Sequence, residues 1–474
     1  MKTLWLEFPI RVLFAAAMLS AFRGGRLWAA SGDQATGWRA GVATAKITPQ
    51  EPMGMAGYAQ RNRPSKGVIR DLFAKALALE DAAGGKLVIV TMDEHMVPHD
   101  LREHVARETA ARYGLKSEEL LVNASHTHCG PELRTDDRFF DHAGKELREP
   151  AVRYRAWLEG RLVELVGEAL NTRSTGRLEH SHARAGFAMN RRRPEPDGRV
   201  SLGAYPSGPV DHEVPVLKVT SSQGKLRAVL FGYACHNTTF GGDEYQINGD
   251  YAGFAQANLE ASYPGATALF IQGCAGDQDP YPRVNLVPDQ PAVELARQHG
   301  RALANAVSTA LAAGLKPVGG PLTSVLRYAD VPYKMLTRAE VEGRLAQEKL
   351  PAVREHMRKV LEQIVNGTAA KSYAWPIQVV QFGKDLTLVA MGGEPVVDYS
   401  LRIKRELPGA ARVWVAGYSN DGYLYLGTGK VIGEGGYEGY SANLRMMNNP
   451  GPLASSAEEI VVGKVHELWR RLNP

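Results

Sequence analysis

Cysteine is scarce in this sequence, with three residues in 474, too few for a disulfide framework to hold the fold together. Basic residues are not concentrated either, since the longest Lys/Arg run is Arg191–Arg193. The formal net charge of +5 comes mostly from residues 1–30, where four basic residues face one acid and leave only +2 for the rest. A nucleic-acid-binding surface needs clustered positive charge, so we exclude nucleic acid as a partner.

Long apolar runs are also missing, because none approaches the ~20 residues that span a bilayer. The run Val12–Phe22, near the N-terminus, has 11 residues and follows Lys2 and Arg11. The small-residue sequence Leu27–Ala30 comes shortly after it. This order is typical of an export signal, so we predict a signal peptide over residues 1–30 and a secreted or periplasmic protein without a transmembrane segment.

The remaining composition, 44% hydrophobic and 23% charged, is that of a globular protein and excludes disordered and collagen-like classes. Strand-like patterns alternate with helical ones, which predicts an α/β fold of mixed sheets and helices. No repeat or linker interrupts it, so we expect one large domain over residues 31–474. The predicted strands are Lys86–Met92, Leu120–Ser125, Val214–Val219, Leu226–Ala234, Ala266–Gln272, Leu386–Met391 and Arg412–Ser419. The predicted helices are His99–Tyr113, Ala151–Asn171, Tyr251–Tyr263, Pro291–Ala313, Pro395–Leu407 and Ala457–Leu472.

The segment from Thr337 to Gly367 differs from its surroundings because it is highly charged, helical in pattern and interrupted by Pro351. A proline inside a helical pattern kinks or ends the helix, so we predict a kinked helix or a helical hairpin. Two interpretations of residues 337–367 stay open: a lid over a cleft, or a solvated helical excursion.

Polar sequences directly follow five of the predicted strands. In open α/β sheets, ligands bind beyond the carboxyl ends of the strands, so five such ends predict one common site. The five sequences are His126–Pro131, Cys235–Thr239, Gly273–Pro280, Gly392–Glu394 and Asn420–Tyr425.

Histidines and a carboxylate in these sequences indicate a metal site. His126 and His128 are two residues apart, so on extended backbone they point to the same side. His236 and Glu394 follow other strands and could complete a ligand set that suits Zn²⁺. The alternative is that these histidines are hydrogen-bonded structural residues.

The three cysteines border the same sequences and leave two further alternatives open. Cys129, Cys235 and Cys274 could supply thiolate ligands to zinc, and Cys274 could be a nucleophile. Small apolar packing at strand ends is the simpler interpretation of all three.

Taken together, the motifs resemble those of the neutral (alkaline, non-lysosomal) ceramidase family. The matching pieces extend from Gly41–Asp81 to Tyr437–Gly439 and cover most of the chain after the signal. The matching motifs between these two ends occur in the family's order. They are His126-Thr127-His128 with Gly130-Pro131, Asn190-Arg191, His236, Asn248-Gly249-Asp250 and Gly276–Pro280.

The resemblance implies a zinc-dependent hydrolase of a linear amide, with one Zn²⁺ per chain and zinc-activated water. Together with the predicted signal peptide, this leads us to expect an exported enzyme. The resemblance also implies that the ligands are His126, His236, Glu394 and Tyr425. Tyr423 stays open as a substitute for Tyr425, because this region is one residue shorter than the family pattern.

Three further positions match family residues that contact the substrate head and its scissile carbonyl: His128, Arg191 and Tyr437. Each could donate a hydrogen bond to the oxyanion or a proton to the leaving amine. For Arg191, a solvated charge in the arginine run is the alternative. Asp250 and Asp277 match loop positions that could brace turns or hydrogen-bond the histidines.

Two departures from the family pattern bear on the substrate. Asp279 stands where the family has a serine, which removes a covalent serine mechanism and leaves base, extra ligand or turn residue as roles. The resemblance covers the catalytic domain, and we expect no counterpart of the β-sandwich domain that follows it in ceramidases.

The expected partner is therefore a lipid or other N-acyl amide substrate, and peripheral contact with a membrane surface stays open. One rival is a metallohydrolase of an amidated sugar, a lactam or a phosphoester. The other rival is a binding homologue without catalysis. Acidic residues that could hold a second metal in the first rival are Asp243, Glu244, Asp250, Asp277 and Asp279.

Overall fold

Two β-sheets packed face to face form the centre of the computed structural model, which describes residues 37–283, 289–349, 351–409, 412–445 and 449–474. The predicted signal peptide lies outside these residues. The strands are β1 (Trp38–Lys46), β2 (Gly67–Val68), β3 (Phe73–Glu80), β4 (Lys86–Met92), β5 (Leu120–Ala124), β6 (Ser174–Arg184), β7 (Ala188–Pro194), β8 (Val200–Tyr205), β9 (Glu213–Ser221), β10 (Leu226–Tyr233), β11 (Gln246–Ile247), β12 (Thr267–Gln272), β13 (Gln278–Pro280), β14 (Lys316–Pro317), β15 (Leu322–Pro332), β16 (Ser372–Phe382), β17 (Leu386–Met391), β18 (Glu394–Pro395), β19 (Val413–Ala416) and β20 (Tyr425–Leu426). The α-helices are α1 (His99–Tyr113), α2 (Asp137–Ala143), α3 (Arg148–Asn171), α4 (Asp250–Ser262), α5 (Ala292–Ala313), α6 (Arg338–Gln347), α7 (Pro351–Val365), α8 (Val397–Glu406), α9 (Gly429–Glu434), α10 (Ala442–Arg445) and α11 (Ala457–Leu472).

The larger sheet has the order β12-β10-β9-β6-β1-β3-β4-β5, with β14 beside β6. Its two edge pairs, β10 with β12 and β4 with β5, are parallel, and the pairs between them are antiparallel. The smaller sheet has the order β15-β16-β17-β19, and β17 and β19 are parallel. This mixture of parallel and antiparallel pairs, flanked by helices, confirms the predicted α/β class of mixed sheets and helices.

Alternate residues of β4 face opposite sides of the larger sheet and pack in different layers of the fold. Leu87 and Ile89 belong to the apolar layer between the two sheets, whereas Val88 and Val90 pack on the opposite side with α1 and α3. Helices α4 and α5 cover the same outer face at the other edge, and α8 and α11 cover the smaller sheet. The result is a helix–sheet–sheet–helix arrangement, and the described residues form one compact unit.

The charged segment 337–367 forms a helical hairpin, one of the two forms predicted for it. Helices α6 and α7 pack on each other, and Val341 and Met357 form a small cluster with Leu444. The guanidinium of Arg344 lies 4.5 Å above the ring of Tyr440. The hairpin therefore rests on the polypeptide just after Tyr437. None of the helices in the described ranges combines the length and apolarity that crossing a membrane requires.

Candidate metal centre

The carboxyl ends of strands from both sheets meet at one edge of the sandwich. An isolated bridge joins Thr127, after β5, to Asn237, after β10. Another joins Gly273, after β12, to Ala416 at the end of β19 in the smaller sheet. The polar sequences that follow the strands are therefore brought together, as their positions in the sequence predicted.

Backbone carbonyls fix the orientation of the two central imidazoles. Nδ1 of His126 lies 2.6 Å from the carbonyl oxygen of His95, and Nδ1 of His236 lies 2.6 Å from that of Ala275. A carbonyl can only accept, so each Nδ1 carries the proton and each Nε2 presents a lone pair to the site. Burial and the charge of Arg191 lower the pKa of His236 to about 4, which keeps it in the neutral, ligating form.

These two lone pairs converge on the carboxylate of Glu394. Its Oε2 lies 3.3 Å from Nε2 of His126 and 3.2 Å from Nε2 of His236. The hydroxyl of Tyr425 is 3.4 Å from Nε2 of His236, and all four side chains are buried.

Lone pairs that face a carboxylate repel it unless a cation lies among them. Ligand atoms of a tetrahedral zinc ion are roughly 3.3 Å apart at a metal–ligand distance of ~2.0 Å. The separations at this cluster match that value. The donor set of His126, His236, Glu394 and Tyr425 therefore fits zinc in both chemistry and spacing.

Tyr425, rather than Tyr423, lies at this cluster. The hydroxyl of Tyr425 is adjacent to His236, and β20 pairs with β18 so that Tyr425 stands opposite Glu394. The charged neighbours that act on Tyr423 are Arg134, Glu132, Asp100 and Arg155, and none of them belongs to this cluster.

Two further imidazoles lie against His126. Nε2 of His128 is 3.1 Å from Nε2 of His126, and the ring of His95 stacks on the ring of His126 at 4.4 Å. Burial, followed by the proximity of His126, lowers the pKa of both His95 and His128 well below the usual range. His95 was not among the residues predicted from the sequence. The signal that points to it is the polar triplet Asp93–His95, which directly follows the predicted strand Lys86–Met92.

Arg191 is buried at the site and is not a solvated member of the arginine run. Its Nη2 donates to the hydroxyl of Tyr425 at 3.1 Å and to the carbonyl of Gly276 at 2.7 Å. Its Nε donates to Glu438 at 2.8 Å, and its Nη1 donates to Asp279 at 3.2 Å. Each of these contacts restricts the guanidinium, which is thereby held next to the predicted ligand Tyr425.

Tyr437 lies beside Arg191 and Tyr425. It begins a π-helical turn, Tyr437–Ser441, after the glycine pair Gly435–Gly436, whose φ values are 71° and 75°. Positive φ is accessible to glycine at little cost, so the pair lets the chain turn sharply into the site. The Tyr437 ring is 5.4 Å from the ring of Tyr425, and the Arg191 guanidinium is 5.7 Å from it.

Asp279 is held by two arginines and a hydroxyl. Its carboxylate accepts from Arg191 Nη1 at 3.2 Å, from Arg283 Nη1 at 2.5 Å and from the Thr238 hydroxyl at 3.1 Å. Burial opposes ionisation, but Arg191 and Arg283 outweigh it and hold the pKa of Asp279 well below its usual range. Such a carboxylate is a weak base, and its geometry favours orienting Arg191.

The other predicted acids accept hydrogen bonds from groups around the site. Asp250 accepts from the backbone amide of Thr239 at 2.9 Å. Asp277 accepts from Asn190 and from the amide of Val397, both at 2.8 Å, and burial raises its pKa to about 6. Among described residues, the groups of three or more side chains close enough to share an ion contain none of Asp243, Glu244, Asp250, Asp277 and Asp279.

The three cysteines are free and fully buried. Burial raises the pKa of Cys129 to about 12 and also raises the pKa of Cys235 and Cys274, which disfavours the thiolate in each case. Cys274 packs in the apolar cluster beneath the smaller sheet. These environments favour the packing role over the ligand and nucleophile alternatives.

A cluster of imidazoles and a carboxylate at the strand ends of a mixed α/β sandwich, with an arginine and a tyrosine beside it, is typical of metallohydrolases. The family model described as neutral/alkaline non-lysosomal ceramidase, N-terminal, matches residues 38–283. The chain therefore belongs to the neutral/alkaline non-lysosomal ceramidase family, as its motifs predicted.

Individual relatives extend this similarity. The neutral ceramidase of Mycobacterium tuberculosis is 23% identical over 495 residues, covering 89% of this chain and 76% of the relative. The neutral ceramidase of Pseudomonas aeruginosa is 26% identical over 263 residues, covering 53% of this chain and 38% of the relative. The crystal structure of the Pseudomonas enzyme superposes with a TM-score of 0.70 at 20% identity, over 91% of this chain and 75% of that one. At this identity the superposition establishes the shared fold.

Proposed function

We propose that this protein is a zinc-dependent amidohydrolase that cleaves the amide bond of ceramide or a closely related N-acyl lipid. Family membership and the relatives named neutral ceramidase support the reaction class. The observation that carries the proposal is the convergence of Nε2 of His126 and Nε2 of His236 on Oε2 of Glu394. This arrangement supports a bound cation, and its imidazole donors favour a borderline ion such as zinc over the harder Mg²⁺ and Ca²⁺.

The residues that would hold the ion are His126, His236, Glu394 and Tyr425. Zinc, when bound, lowers the pKa of water from 15.7 to about 7 and polarises a carbonyl oxygen. In the overall reaction, the oxygen of water bonds to the amide carbon, the C–N bond breaks, and the amine leaves with a proton.

The chain's own side chains would supply the remaining parts of this reaction. Arg191 places positive charge beside Tyr425, where it can stabilise the oxyanion that develops on the carbonyl. Tyr437 has a hydroxyl that can donate to the same oxygen or to the leaving nitrogen. His128, a neutral imidazole next to His126, can carry a proton between water and the amine.

Asp279 would act on this chemistry through Arg191. Because its carboxylate is engaged by Arg191, Arg283 and Thr238, we assign it a positioning role instead of the role of base. The serine that the family has at this position would leave Arg283 without its carboxylate partner. The pair Asp279–Arg283 therefore makes this part of the site more polar than a serine would.

The decisive experiment measures hydrolysis with and without zinc. Metal-free protein should release fatty acid from ceramide only after zinc is restored, and a panel of N-acyl amides would show whether ceramide is the preferred member. His126→Ala should abolish both zinc retention and turnover, whereas the exposed His182→Ala is a matched histidine control that should change neither. Turnover that is unaffected by complete metal removal would contradict the proposal.

Export is proposed on the sequence of residues 1–30 alone. The expected result is a mature protein outside the cytoplasm whose N-terminus begins near Ala30. Amino-terminal sequencing of protein recovered from the periplasm or the medium tests this, and an intact Met1 in that fraction would contradict cleavage.

A further inference from the structure

Arg283 is a second arginine beside the metal cluster, and the proposed reaction gives it no direct role. Its Nη1 donates to Oδ2 of Asp279 at 2.5 Å, and its Nη2 makes a long contact of 3.4 Å with the hydroxyl of Tyr58. That hydroxyl donates its own hydrogen to the carbonyl of Phe240 at 2.7 Å, which fixes its position. Nε of Arg283 is buried and has no hydrogen-bond partner among the described residues. One donor of this guanidinium therefore lacks an acceptor.

The unused donor lies on an edge of the guanidinium that suits an oxyanion. In arginine, the N–H of Nε and one N–H of Nη2 point in the same direction and form a two-pronged donor that matches a carboxylate. Asp279 is bound through Nη1, so this edge of Arg283 has only the long contact with Tyr58. A buried charged donor without an acceptor carries a desolvation cost, which a carboxylate bound at this edge would offset.

The neighbours of Arg283 relate this edge to the reacting amide. Asp279 joins Arg283 to Arg191, which the proposed reaction places at the carbonyl. Tyr58 joins Arg283 to His128, since the rings of Tyr58 and His128 are 4.9 Å apart. The side chains of Arg283 and Asp279 are 18% and 17% exposed, so both can be reached from outside. A group bound to Arg283 would therefore lie one side chain away from His128, on the side of the leaving amine.

Guanidinium charge exceeds carboxylate charge on this wall of the site. The single negative charge of Asp279 is shared by two guanidiniums. Arg61 is buried, lies 4.8 Å over the ring of Tyr58 and is held by four backbone carbonyls. Asp250, the other acid whose charge acts on Tyr58, accepts from backbone amides. The wall can therefore accommodate one more negative charge, which the neutral diol of a ceramide does not carry.

We propose that Arg283 makes the site select N-acyl substrates whose amine half carries a carboxylate beside the amide nitrogen, as in an N-acyl amino acid. The inference rests on the proposed function, because it names the substrate class of the same amide-cleaving site. Nε and Nη2 of Arg283 hold the carboxylate, and Asp279 fixes the guanidinium through Nη1. A serine at position 279 would leave Arg283 without this support, so the departure from the family residue and the preference for an acid belong together.

Two substrates that differ in one group test the proposal. N-octanoylserine carries the carboxylate, and N-octanoylserinol has a hydroxymethyl group in its place. Zinc-loaded wild-type protein should hydrolyse one enantiomer of the acid with a kcat/KM at least about tenfold above that of the neutral amide, as a charged hydrogen-bonded pair provides. Arg283→Gln should lower this ratio by at least about tenfold. A change in rate that is common to both substrates cancels in the ratio.

Two further variants sharpen the comparison. Arg283→Lys keeps the charge but has no two-pronged edge, so its ratio should lie between those of the wild type and Arg283→Gln. It also keeps the test available if the glutamine variant does not fold. Arg107→Gln, at an exposed position on α1, is the matched arginine control and should keep the wild-type ratio.

The outcomes separate this inference from the proposed function. A wild-type ratio of one or less, or a ratio that Arg283→Gln leaves unchanged, would overturn the inference, while hydrolysis of the neutral amide or of ceramide would leave the proposed function intact. Absence of hydrolysis of all three compounds would overturn the proposed function. Calorimetric titration of metal-free protein then decides the recognition step by itself. Binding of the acid at least about tenfold more tightly than the neutral amide, lost in Arg283→Gln, supports it, and equal binding overturns it.

Discussion

Glu438 accepts a hydrogen bond from Nε of Arg191 at 2.8 Å, and both side chains are buried. The other oxygen of the same carboxylate accepts from Nη1 of Arg192 at 2.9 Å. Glu438 directly follows Tyr437 in the π-helical turn, so one carboxylate joins the strand that carries Arg191 to the turn that carries Tyr437. The relative position of these two predicted catalytic side chains depends on it.

Glu438→Gln should therefore lower kcat while leaving the zinc content unchanged. The amide keeps one acceptor but loses the charge that compensates two buried arginines, and breaking a buried pair costs roughly 3–5 kcal/mol of stability. We expect a loss of kcat of about tenfold or more, with unfolding followed by circular dichroism to separate misfolding from misplacement. Glu434→Gln is the matched control, because Glu434 contacts Arg192 from an exposed position. Equal activities in the two variants would contradict a role for Glu438 in positioning.

Removal of any one predicted ligand should strip the ion. His126→Ala, His236→Ala and Glu394→Ala each delete a side chain from the convergent cluster, so we expect zinc content to fall from about one tightly bound ion to well below that value. Chelation of the wild type should lower its melting temperature, because a ligand present at 1,000 times its Kd stabilises the folded state by about 4 kcal/mol. Full zinc retention in all three variants would show that the ligand assignment is wrong.

Tyr437→Phe should depress turnover without affecting the metal. Loss of one oxyanion donor typically costs 10²–10³ in kcat, and the substitution removes only the hydroxyl. Tyr440→Phe, in the same turn but beside Arg344, is the control and should retain activity. Arg191→Ala should be similarly inactive but also less stable, because the buried carboxylates of Glu438 and Asp279 each lose one of their two arginine partners. A loss below about threefold in both Tyr437→Phe and Arg191→Ala would argue against their assigned roles.

The cluster of His126, His236 and Glu394 was predictable because its members come directly after strands whose apolar patterns are clear. His126, His236 and Glu394 follow β5, β10 and β17, and parallel neighbours bring such ends together. His95 follows β4 in the same way. His95, however, is a single histidine after Asp93 and Glu94, and no partner histidine at a fixed spacing distinguishes it from an ordinary loop residue.

Other features depend on contacts that no local pattern contains. Arg191 belongs to an arginine run that is typical of a solvated strand, and its burial depends on partners far away in the sequence, among them Glu438 and Asp279. Strand β16 was missed because it contains Pro376, and proline normally argues against a sheet interior. Tyr418 was not predicted as a neighbour of the site, because it falls within the predicted strand Arg412–Ser419. In the structure β19 ends at Ala416, and the hydroxyl of Tyr418 lies 3.4 Å from Glu394.

The stability that Asp279 contributes should depend on pH in a defined direction. Its pKa is lowered in the folded protein by Arg191 and Arg283, so the folded state favours the ionised form more than the unfolded state does. The contribution is therefore complete above the unfolded pKa of about 3.9 and is lost as the pH falls below it. The difference in unfolding free energy between wild type and Asp279→Asn should be constant from about pH 5 to 8 and shrink only in stronger acid. A difference that instead grows on acidification would contradict the ion pairing.

Asp279 also gives the clearest prediction about mechanism and specificity. Asp279→Ala should retain zinc, since the carboxylate binds Arg191, Arg283 and Thr238 and is not among the predicted ligands. It should lose activity, because Arg191 is released from one of its two carboxylate partners while it still contacts Tyr425.

Asp279→Ser should recover activity preferentially on ceramide-like amides relative to shorter N-acyl amides, because it restores the family's residue and removes a charge from the site. Rates of both variants on both substrate types decide the matter, and unchanged rates on every substrate would reduce Asp279 to a turn residue before Pro280. Wild-type enzyme should show no burst of product, since no serine occupies this position, and a burst would indicate a covalent nucleophile elsewhere in the site.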